Sequence, residues 1–234
     1  MTQLPPTTPS DDLPHAYPAA EIAAVYRAIH ERRDMRHFVP GPLPDGMLTR
    51  LLNAAHEAPS VGFMQPWRIL HITDDALRQE MMALVDEERL KTAENLPTRQ
   101  QEFLRLKVEG IKECAEILVV ALMNGREPHI FGRRTMPFMD MASASCAIQN
   151  LWLAARAEGI GVGWVSIFDP DKLAALLKMP EGAQPIAILC IGHVEEFPTQ
   201  PLLAQTGWGS RLPLDSVVFE NTWPDDAQPT PVAY

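Results

Sequence analysis

The chain of 234 residues is long enough for one or two domains, and its 46% hydrophobic and 21% charged residues are typical of a globular protein with a sizeable core. Thirty acidic residues against twenty basic ones give a net charge of −10, which argues against a nucleic-acid partner but permits a local cluster that holds a small anion. The Pro-rich N-terminus lacks the apolar core of a signal peptide and the apolar runs are too short to span a membrane, so we expect a cytoplasmic protein without a membrane partner.

The first part of the sequence predicts two helices and a strand. Apolar residues at i, i+3, i+4 and i+7 from Ile22 predict an amphipathic helix that begins after Pro18. The same pattern over residues 48–55 predicts a second helix, which Pro59 ends. Residues 67–73 read as a short strand, followed by another helix.

The second part alternates charged and strongly apolar segments. Residues 80–113 carry many charges and few apolar positions, which predicts surface helices. Apolar runs at 117–123, 162–168 and 185–191 fit strands. Residues 138–158 leave almost no polar face, so we expect a helix buried in a core or in a subunit interface. The result is a mixed body with more helix than strand, in which the alternation is too irregular for a doubly wound sheet.

Proline concentrates at the two ends of the chain. This distribution predicts a Pro-rich N-terminal arm at residues 1–18, a compact body at 19–197 and an extended C-terminal arm at 198–234. The C-terminal arm still carries large apolar residues, including Trp208 and Phe219. We therefore expect it to pack on another surface, such as a partner subunit.

Sequence patterns for metal or nucleophilic chemistry are absent. Cys114, Cys146 and Cys190 form no CxxC pair, and their number and spacing predict reduced, buried thiols. The histidines show no HExxH or other metal-ligand spacing, and no Gly-x-Ser-x-Gly or Walker loop occurs. We expect no metal site.

An arginine-rich segment after the first predicted helix is the strongest local signal. This segment has three arginines within five residues, Arg32, Arg33 and Arg36, although the net charge of the whole chain is −10. Guanidinium groups suit bidentate phosphate binding, although cations at a solvated helix end would look the same. Asp34, inside the segment, is either an ion-pair partner or a carboxylate held near a ligand for proton transfer.

Two loops could line a planar ligand. Ser60, Gly62 and Gln65 lie in the run PSVGFMQPW, which could follow the polar edge of a heterocycle or could be a simple connection to a core tryptophan. The run GIGVGWVS at 159–166 enters a strand and is a poor dinucleotide fingerprint. Its glycines would allow close approach to a flat ligand, and Ser166 could direct a hydroxyl group at that ligand or satisfy the backbone.

Two further basic groups lie outside these segments. Arg211 is a single arginine in the C-terminal arm. Arg126, Arg133 and Arg134, with His129, form a second basic patch, which we interpret as a solvated face that could add to an anion site.

Together these segments resemble the nitroreductase-like FMN proteins over residues 22–214. The shared pieces are the basic segment, the Ser…Gln-Pro-Trp loop, the small-residue helix, the Gly-rich strand and the late arginine. The resemblance implies an α+β nitroreductase-like fold, in which a mixed central sheet is flanked by helices. It also implies an arm-exchanged homodimer with FMN at the subunit interface.

The resemblance implies a role for each matching residue. Arg32, Arg33, Arg36 and Arg211 would bind the FMN phosphate. Ser60, Gly62 and Gln65 would line the flavin ring, and Gly163, Trp164, Val165 and Ser166 would pass the edge that carries its N5 atom. Residues 102–110 would form a lid. Asp34 and Ser166 would be the catalytic residues, and Asp34, kept ionised by the arginines, suits a general base.

Within that family, the chain is similar to a branch that breaks down reduced FMN with oxygen. Asp34 occupies a position where serine is usual, and Phe63 one where asparagine is usual. The implied substrates are reduced FMN and O2, with a separate flavin reductase, and indirectly NAD(P)H, as the source of reduced flavin. Two alternatives are an FMN-dependent NAD(P)H nitroreductase or quinone reductase, and a non-catalytic flavin-binding protein.

Overall fold

A four-stranded antiparallel sheet lies at the centre of the structure, a computed structural model that describes residues 13–224. The strands are β1 (Trp67–Ile72), β2 (Glu116–Leu122), β3 (Gly161–Val165) and β4 (Gln184–Gly192). The helices of the described part are α1 (Ala19–Glu31), α2 (Met47–His56), α3 (Asp75–Glu94), α4 (Gln100–Arg105), α5 (Met139–Ala157), α6 (Pro170–Leu176) and α7 (Leu202–Gln205). The predicted helices and strands of the body are confirmed, except that residues 106–113 are not helical and the strand predicted at 162–168 ends at Val165.

The strand order β1-β2-β4-β3 places β2 and β4 inside the sheet, which explains their uninterrupted apolar sequences. The expected mixed sheet is wrong for these four strands, because every pairing between them is antiparallel. In the described residues, parallel pairing is limited to an isolated bridge between Asp34 and Val162, at the free edge of β3.

Two hydrophobic cores cover the two faces of the sheet. Side chains alternate along β2, so that Leu118 and Val120 face α2 and α5, whereas Ile117 and Val119 face α3 and α6. The second core also contains Met35, from the segment after α1. Packing of this side chain attaches the arginine-rich segment to the body.

Short polar caps fix the starts of two helices. The side chain of Asp74 accepts hydrogen bonds from the backbone N–H groups of Ala76 and Leu77 at the start of α3. Asp169 caps α6 in the same way, with Pro170 at the first helical position. The first cap fixes the turn that follows β1, and the second fixes the turn that follows β3.

Helix α5 is less completely buried than its sequence suggests. One face packs on the sheet and on α2, but Ala142, Cys146 and Gln149 lie on the opposite face and are exposed. The prediction of three buried thiols is therefore wrong for Cys146, whereas Cys114 and Cys190 are buried. The apolar face of α1 is also only partly covered, since Val25 and Ile29 are about half exposed.

Several sequence expectations fall at the ends of the chain. Residues 1–12 of the N-terminal arm and 225–234 of the C-terminal arm lie outside the described residues. Within residues 13–224, no helix combines the length and apolarity needed to cross a membrane. The same part of the chain holds no group of three or more His, Cys, Asp or Glu residues arranged for a metal ion.

Candidate functional site

The segment after α1 runs along the free edge of β3. The N–H of Met35 donates to the carbonyl oxygen of Val162 at 3.0 Å. A Cβ atom on Gly163 would lie 2.1 Å from the carbonyl oxygen of Met35, so only glycine permits this approach. Our interpretation that Gly163 makes room for a flat ligand is thus corrected, because the chain itself fills that space.

The carboxylate of Asp34 is held from two sides. Its Oδ1 accepts from the backbone N–H of Trp164 at 2.9 Å and from Nη1 of Arg36 at 2.7 Å. Its Oδ2 accepts from Nη2 of Arg36 at 2.6 Å. This bidentate pair fixes the orientation of the carboxylate, and 45% of the Asp34 side chain remains exposed. A ligand can therefore reach a carboxylate whose position is already set.

The pKa of Asp34 lies above its usual value. Burial of part of the group raises the pKa and outweighs Arg36, the N–H of Trp164 and Arg32, all of which lower it. The expectation that the arginines dominate is corrected in this respect. A carboxyl group with a raised pKa accepts a proton more readily than an ordinary aspartate.

Two of the four arginines are already engaged with the chain. Besides its pair with Asp34, Arg36 donates to the carbonyl oxygen of Trp164 at 2.7 Å. Arg33 donates to the carbonyl oxygens of His30, Arg32 and Thr199 at 2.6–2.8 Å. These contacts fix the backbone. They leave the buried Nε atom of Arg33 without a hydrogen-bond partner among the described residues.

Arg32 and Arg211 keep their guanidinium groups available. Neither group has a hydrogen bond or an ion pair within residues 13–224. Burial lowers the pKa of Arg32, and the positive charge of Arg211 lowers it further against the effect of Asp34. Arg33 also has a lowered pKa because of its burial and of the charges of Arg32 and Arg211. The structure thus brings three of the predicted arginines into one electrostatic cluster.

Trp152 of α5 supports this cluster, a role that the sequence analysis did not identify. The guanidinium carbon of Arg32 lies 4.4 Å from the centre of its ring, and its Nε1 donates to the carbonyl oxygen of Arg33 at 3.1 Å. In the sequence, Trp152 is one apolar residue of a long apolar helix. Only the packing of α5 beneath the arginine-rich segment distinguishes it.

The first part of the C-terminal arm packs on its own chain. Nη2 of Arg33 binds the carbonyl oxygen of Thr199 at 2.6 Å, and the guanidinium of Arg156 lies over the ring of Phe197. Further along, Trp208 packs against Arg99 and against Phe103 of α4, within the region expected to form a lid. The arm thereby brings Arg211 beside the arginine-rich segment.

The loop with Ser60, Gly62 and Gln65 lies elsewhere on the subunit. The hydroxyl oxygen of Ser60 accepts from the N–H of Gln65, and the adjacent Val61 N–H donates to Ser143 of α5. Ser143 precedes Trp152 by nine residues, about 14 Å along the helix. Within one subunit, the structure therefore does not join this loop to the arginine cluster.

Two details of the loop concern its tryptophan and its backbone. Trp67 is buried in the first core, so it is a core residue rather than a surface for a ligand. Gln65 has a φ of 48° and Gly62 a φ of 54°, both in the left-handed region that L side chains rarely adopt. The remaining polar groups of the loop stay candidates for ligand binding.

The end of β3 leaves one predicted residue open. The outward backbone groups of Val162 and Trp164 are engaged by the segment 34–36. Val165 faces the second core, and Ser166 follows it as an exposed residue. Its hydroxyl has no hydrogen bond to any other residue of 13–224, and is therefore free to meet a ligand.

The second basic patch is a solvated face only in part, since His129 and Arg134 are exposed whereas Arg126 and Arg133 are not. Arg126 and Arg133 both bind the buried carboxylate of Asp140, at 2.9 and 3.0 Å, and their side chains are 13% and 10% exposed. Arg126 also donates to the carbonyl oxygen of Gly182. Arg126 and Arg133 thus form a structural ion-pair cluster with Asp140 that holds the loop before α5, which corrects our interpretation for these two residues.

Comparison with known proteins defines the class of this chain. Residues 29–193 match the model of the nitroreductase family, so the chain belongs to that family. It is 37% identical over 196 residues to the 5,6-dimethylbenzimidazole synthase of Rhodobacter capsulatus, over 82% of this chain and 94% of the relative. It is 41% identical over 186 residues to the 5,6-dimethylbenzimidazole synthase of Rhodospirillum rubrum, over 78% of this chain and 87% of the relative.

The fold is shared with more distant proteins. A crystal structure of oxidized iodotyrosine deiodinase bound to FMN and 3-iodo-L-tyrosine superposes with a TM-score of 0.67 at 23% identity, over 85% of this chain and all of that one. At this identity the comparison shows the fold alone. The nitroreductase-like α+β fold expected from the sequence is confirmed.

Proposed function

We propose that this chain is a 5,6-dimethylbenzimidazole synthase. Such an enzyme uses O2 to fragment reduced FMN into 5,6-dimethylbenzimidazole, the lower ligand of vitamin B12, and erythrose 4-phosphate. Two relatives with this name, at 37% and 41% identity over most of the chain, support the assignment. The observation that carries it is the exposed carboxylate of Asp34, fixed in position beside the arginine cluster.

The arginine cluster fits the phosphate of FMN. Arg33 has a buried Nε atom without a partner in residues 13–224, and Arg32 and Arg211 have guanidinium groups without acceptors there. Burial first, and then the like charges of neighbouring arginines, lower the pKa values of Arg32 and Arg33. A phosphate group would supply both the missing negative charge and the missing acceptors.

The remaining residues divide into positioning and reacting groups. Arg36 holds Asp34, and the backbone of Trp164 holds both. Reduced FMN, when bound, supplies the electrons and the reactivity toward O2. Asp34 then moves a proton to or from the ribityl carbon or a ring nitrogen, and Ser166 offers a second hydrogen-bonding group at the end of β3.

A homodimer would complete the site. The loop with Ser60, Gly62 and Gln65 and the arginine cluster lie at different positions along α5, so a partner subunit can bring its loop to the cluster. The exposed apolar side chains of Val25 and Ile29 on α1, and of Leu214 and Val218 in the arm, offer surface for that contact. Since residues 197–208 pack on their own chain, we assign exchange between subunits to the later part of the arm.

The other partners and boundaries follow from the same proposal. Reduced FMN would come from a separate flavin reductase, which draws on NAD(P)H. The body at 19–197 would carry the fold, and the C-terminal arm at 198–234 would complete the FMN site through Arg211 and the dimer through its later residues. The N-terminal arm would comprise residues 1–18, and we propose a cytoplasmic location.

Product analysis with reduced FMN tests the proposal. The purified protein is mixed with chemically reduced FMN in air, and 5,6-dimethylbenzimidazole is measured by chromatography and mass spectrometry. Formation of the product with matching loss of FMN supports the synthase. Intact FMN, with NAD(P)H oxidised when a quinone or nitroaromatic is added, identifies a conventional reductase instead. Intact FMN without either reaction identifies a flavin-binding protein.

A further inference from the structure

The side chain of Trp208 packs against Arg99, which directly precedes α4, and against Phe103, which lies within α4. The guanidinium carbon of Arg99 lies 3.8 Å from the centre of the indole ring, and Nη1 of Arg99 donates to the carbonyl oxygen of Trp208 at 3.1 Å. On another side, the ring of Phe103 lies 6.1 Å from the ring of Trp208. One arginine therefore binds both the side chain and the backbone of Trp208.

Further contacts hold Arg99, Phe103 and Trp208 in place. Glu102 binds Arg99 through two hydrogen bonds of 2.8 and 2.6 Å, and Phe103 is buried in the described structure. On the arm, Gly207 has a φ of 73°, which turns the chain back so that the N–H of Trp208 reaches the carbonyl oxygen of Leu203. The positions of Arg99 and Phe103, and that of Trp208 on the arm, are thus each fixed by contacts of their own.

Arg211 lies three residues after Trp208 in the C-terminal arm. Around it the chain is exposed from Gly209 onward, and Arg211 makes no hydrogen bond or ion pair with residues 13–224. Its charge nevertheless acts on Arg32 and Arg33. No side-chain contact of its own therefore holds Arg211 in that place, and the nearest fixed point of the arm is Trp208.

We infer that Trp208 and Arg99 are positioning residues that hold Arg211 at the arginine cluster, so that docking of the arm on α4 completes the phosphate site. This inference rests on the proposed function, because it takes the phosphate of FMN as the ligand of the cluster. Fixing the arm before the ligand arrives reduces the conformational entropy that binding would otherwise have to remove. The effect is specific to the phosphate, since Arg211 acts on no other part of the ligand.

Comparison of FMN with riboflavin, which lacks the phosphate, tests the inference. Dissociation constants are measured by quenching of flavin fluorescence for the full-length protein and its variants. Trp208→Leu should weaken FMN binding by about 3- to 10-fold, the equivalent of one cation–π contact, and leave riboflavin binding unchanged. Arg99→Gln, which leaves the arm sequence intact, should have the same selective effect, and Trp208→Phe should restore most of the loss.

Two further variants separate positioning from a general structural role. Leu90→Ala removes an exposed apolar side chain of α3, outside the arm and the arginine cluster, and should bind FMN like the wild type. In an Arg211→Gln background, Trp208→Leu should have no additional effect, because the residue on which it acts is already absent. Thermal unfolding of each variant checks that it is folded.

The outcomes distinguish this inference from the proposed function. Equal weakening of FMN and riboflavin by Trp208→Leu, or a full additional loss in the Arg211→Gln background, overturns the positioning role while the proposed function stands. If the wild type binds riboflavin as tightly as FMN, there is no phosphate site, and both the inference and the proposed function fail.

Discussion

The carboxyl group of Asp34 combines a fixed position with a raised pKa. Arg36 and the N–H of Trp164 determine where the group lies, whereas its partial burial determines the direction of the pKa shift. A fixed position keeps the group close to the reacting atom, and a raised pKa makes the carboxylate a stronger base than an ordinary aspartate. At the scale of single residues, Asp34 is therefore the strongest candidate for the chemistry.

Replacement of this carboxylate should separate binding from reaction. We expect Asp34→Asn to bind FMN nearly as well as the wild type, and to form 5,6-dimethylbenzimidazole about 100-fold more slowly or not at all. Flavin fluorescence measures the binding, and chromatography measures the product. Asp45→Asn, at an exposed position outside the site, is the matched control. Normal turnover by the Asp34 variant would exclude the proton-transfer role.

The raised pKa gives a prediction for the pH profile. If ionised Asp34 is the base, product formation falls as the pH decreases through its pKa, because protonation removes the reactive form. The midpoint of this acid limb should lie above 3.8, the ordinary value for aspartate. Rates are measured on protein that circular dichroism shows to be folded at each pH. A midpoint at or below 3.8 would contradict the assignment.

Arg32 should contribute to binding through its free guanidinium. Arg32→Gln removes a charged donor from the cluster, and we expect FMN affinity to fall about 10- to 100-fold while riboflavin affinity changes little. Arg134→Gln is a matched control, since Arg134 is exposed and its side chain makes no hydrogen bond to the described residues. A similar loss for both ligands would show that Arg32 acts through the fold instead.

At the scale of elements, the site depends on close contact between β3 and the segment after α1. The isolated bridge, the carboxylate of Asp34 and the guanidinium of Arg36 all meet the same edge of β3. Met35, which lies between Asp34 and Arg36 in the sequence, packs in the second core and anchors this segment. The positions of Asp34 and Arg36 therefore rely on the absence of a side chain at Gly163.

Adding one methyl group at Gly163 should break this contact. In Gly163→Ala the new Cβ would lie 2.1 Å from the Met35 carbonyl oxygen, so the segment must move away from β3. We expect a loss of about 2 kcal/mol or more in the free energy of unfolding, together with loss of product formation. Urea denaturation measures the first effect. Gly209→Ala, whose Cβ would meet nothing within 4 Å, should leave the free energy of unfolding unchanged.

At the scale of the whole molecule, the single chain leaves much apolar surface exposed. Val25 and Ile29 of α1 are 52% and 50% exposed, and Leu214 of the arm is 75% exposed. Ordinary surfaces of soluble monomers carry such residues singly, whereas these recur on one helix and along one arm. We propose a second copy of the chain as the occupant of this surface, because it would also complete the proposed FMN site.

A charge on this face of α1 should therefore weaken both assembly and binding. We expect Ile29→Asp to shift the protein from dimer to monomer in analytical ultracentrifugation and to lower FMN affinity, because the loop of the partner is lost from the site. Leu90→Asp changes another exposed apolar helix residue and should leave the dimer intact. A dimer of unchanged stability in Ile29→Asp would place the interface elsewhere.

The amino-acid sequence by itself determined the helices and strands, and it identified the arginine-rich segment. Local patterns suffice for these features, since the spacing of apolar residues reflects helix and strand geometry directly. The caps at Asp74 and Asp169 follow from local chemistry in the same way. The similarity of several separated motifs also indicated the family, which the match over residues 29–193 confirms.

Only the tertiary structure decided which polar groups are engaged and which are free. Arg33, Arg36, Arg126 and Arg133 look like Arg32 and Arg211 in the sequence, but the first four are bound to carbonyl or carboxylate oxygens of the chain. Likewise, Gly163 makes room for Met35, and Cys146 faces away from the core. The reason is physical: these properties depend on neighbours distant in sequence, which local periodicity does not encode.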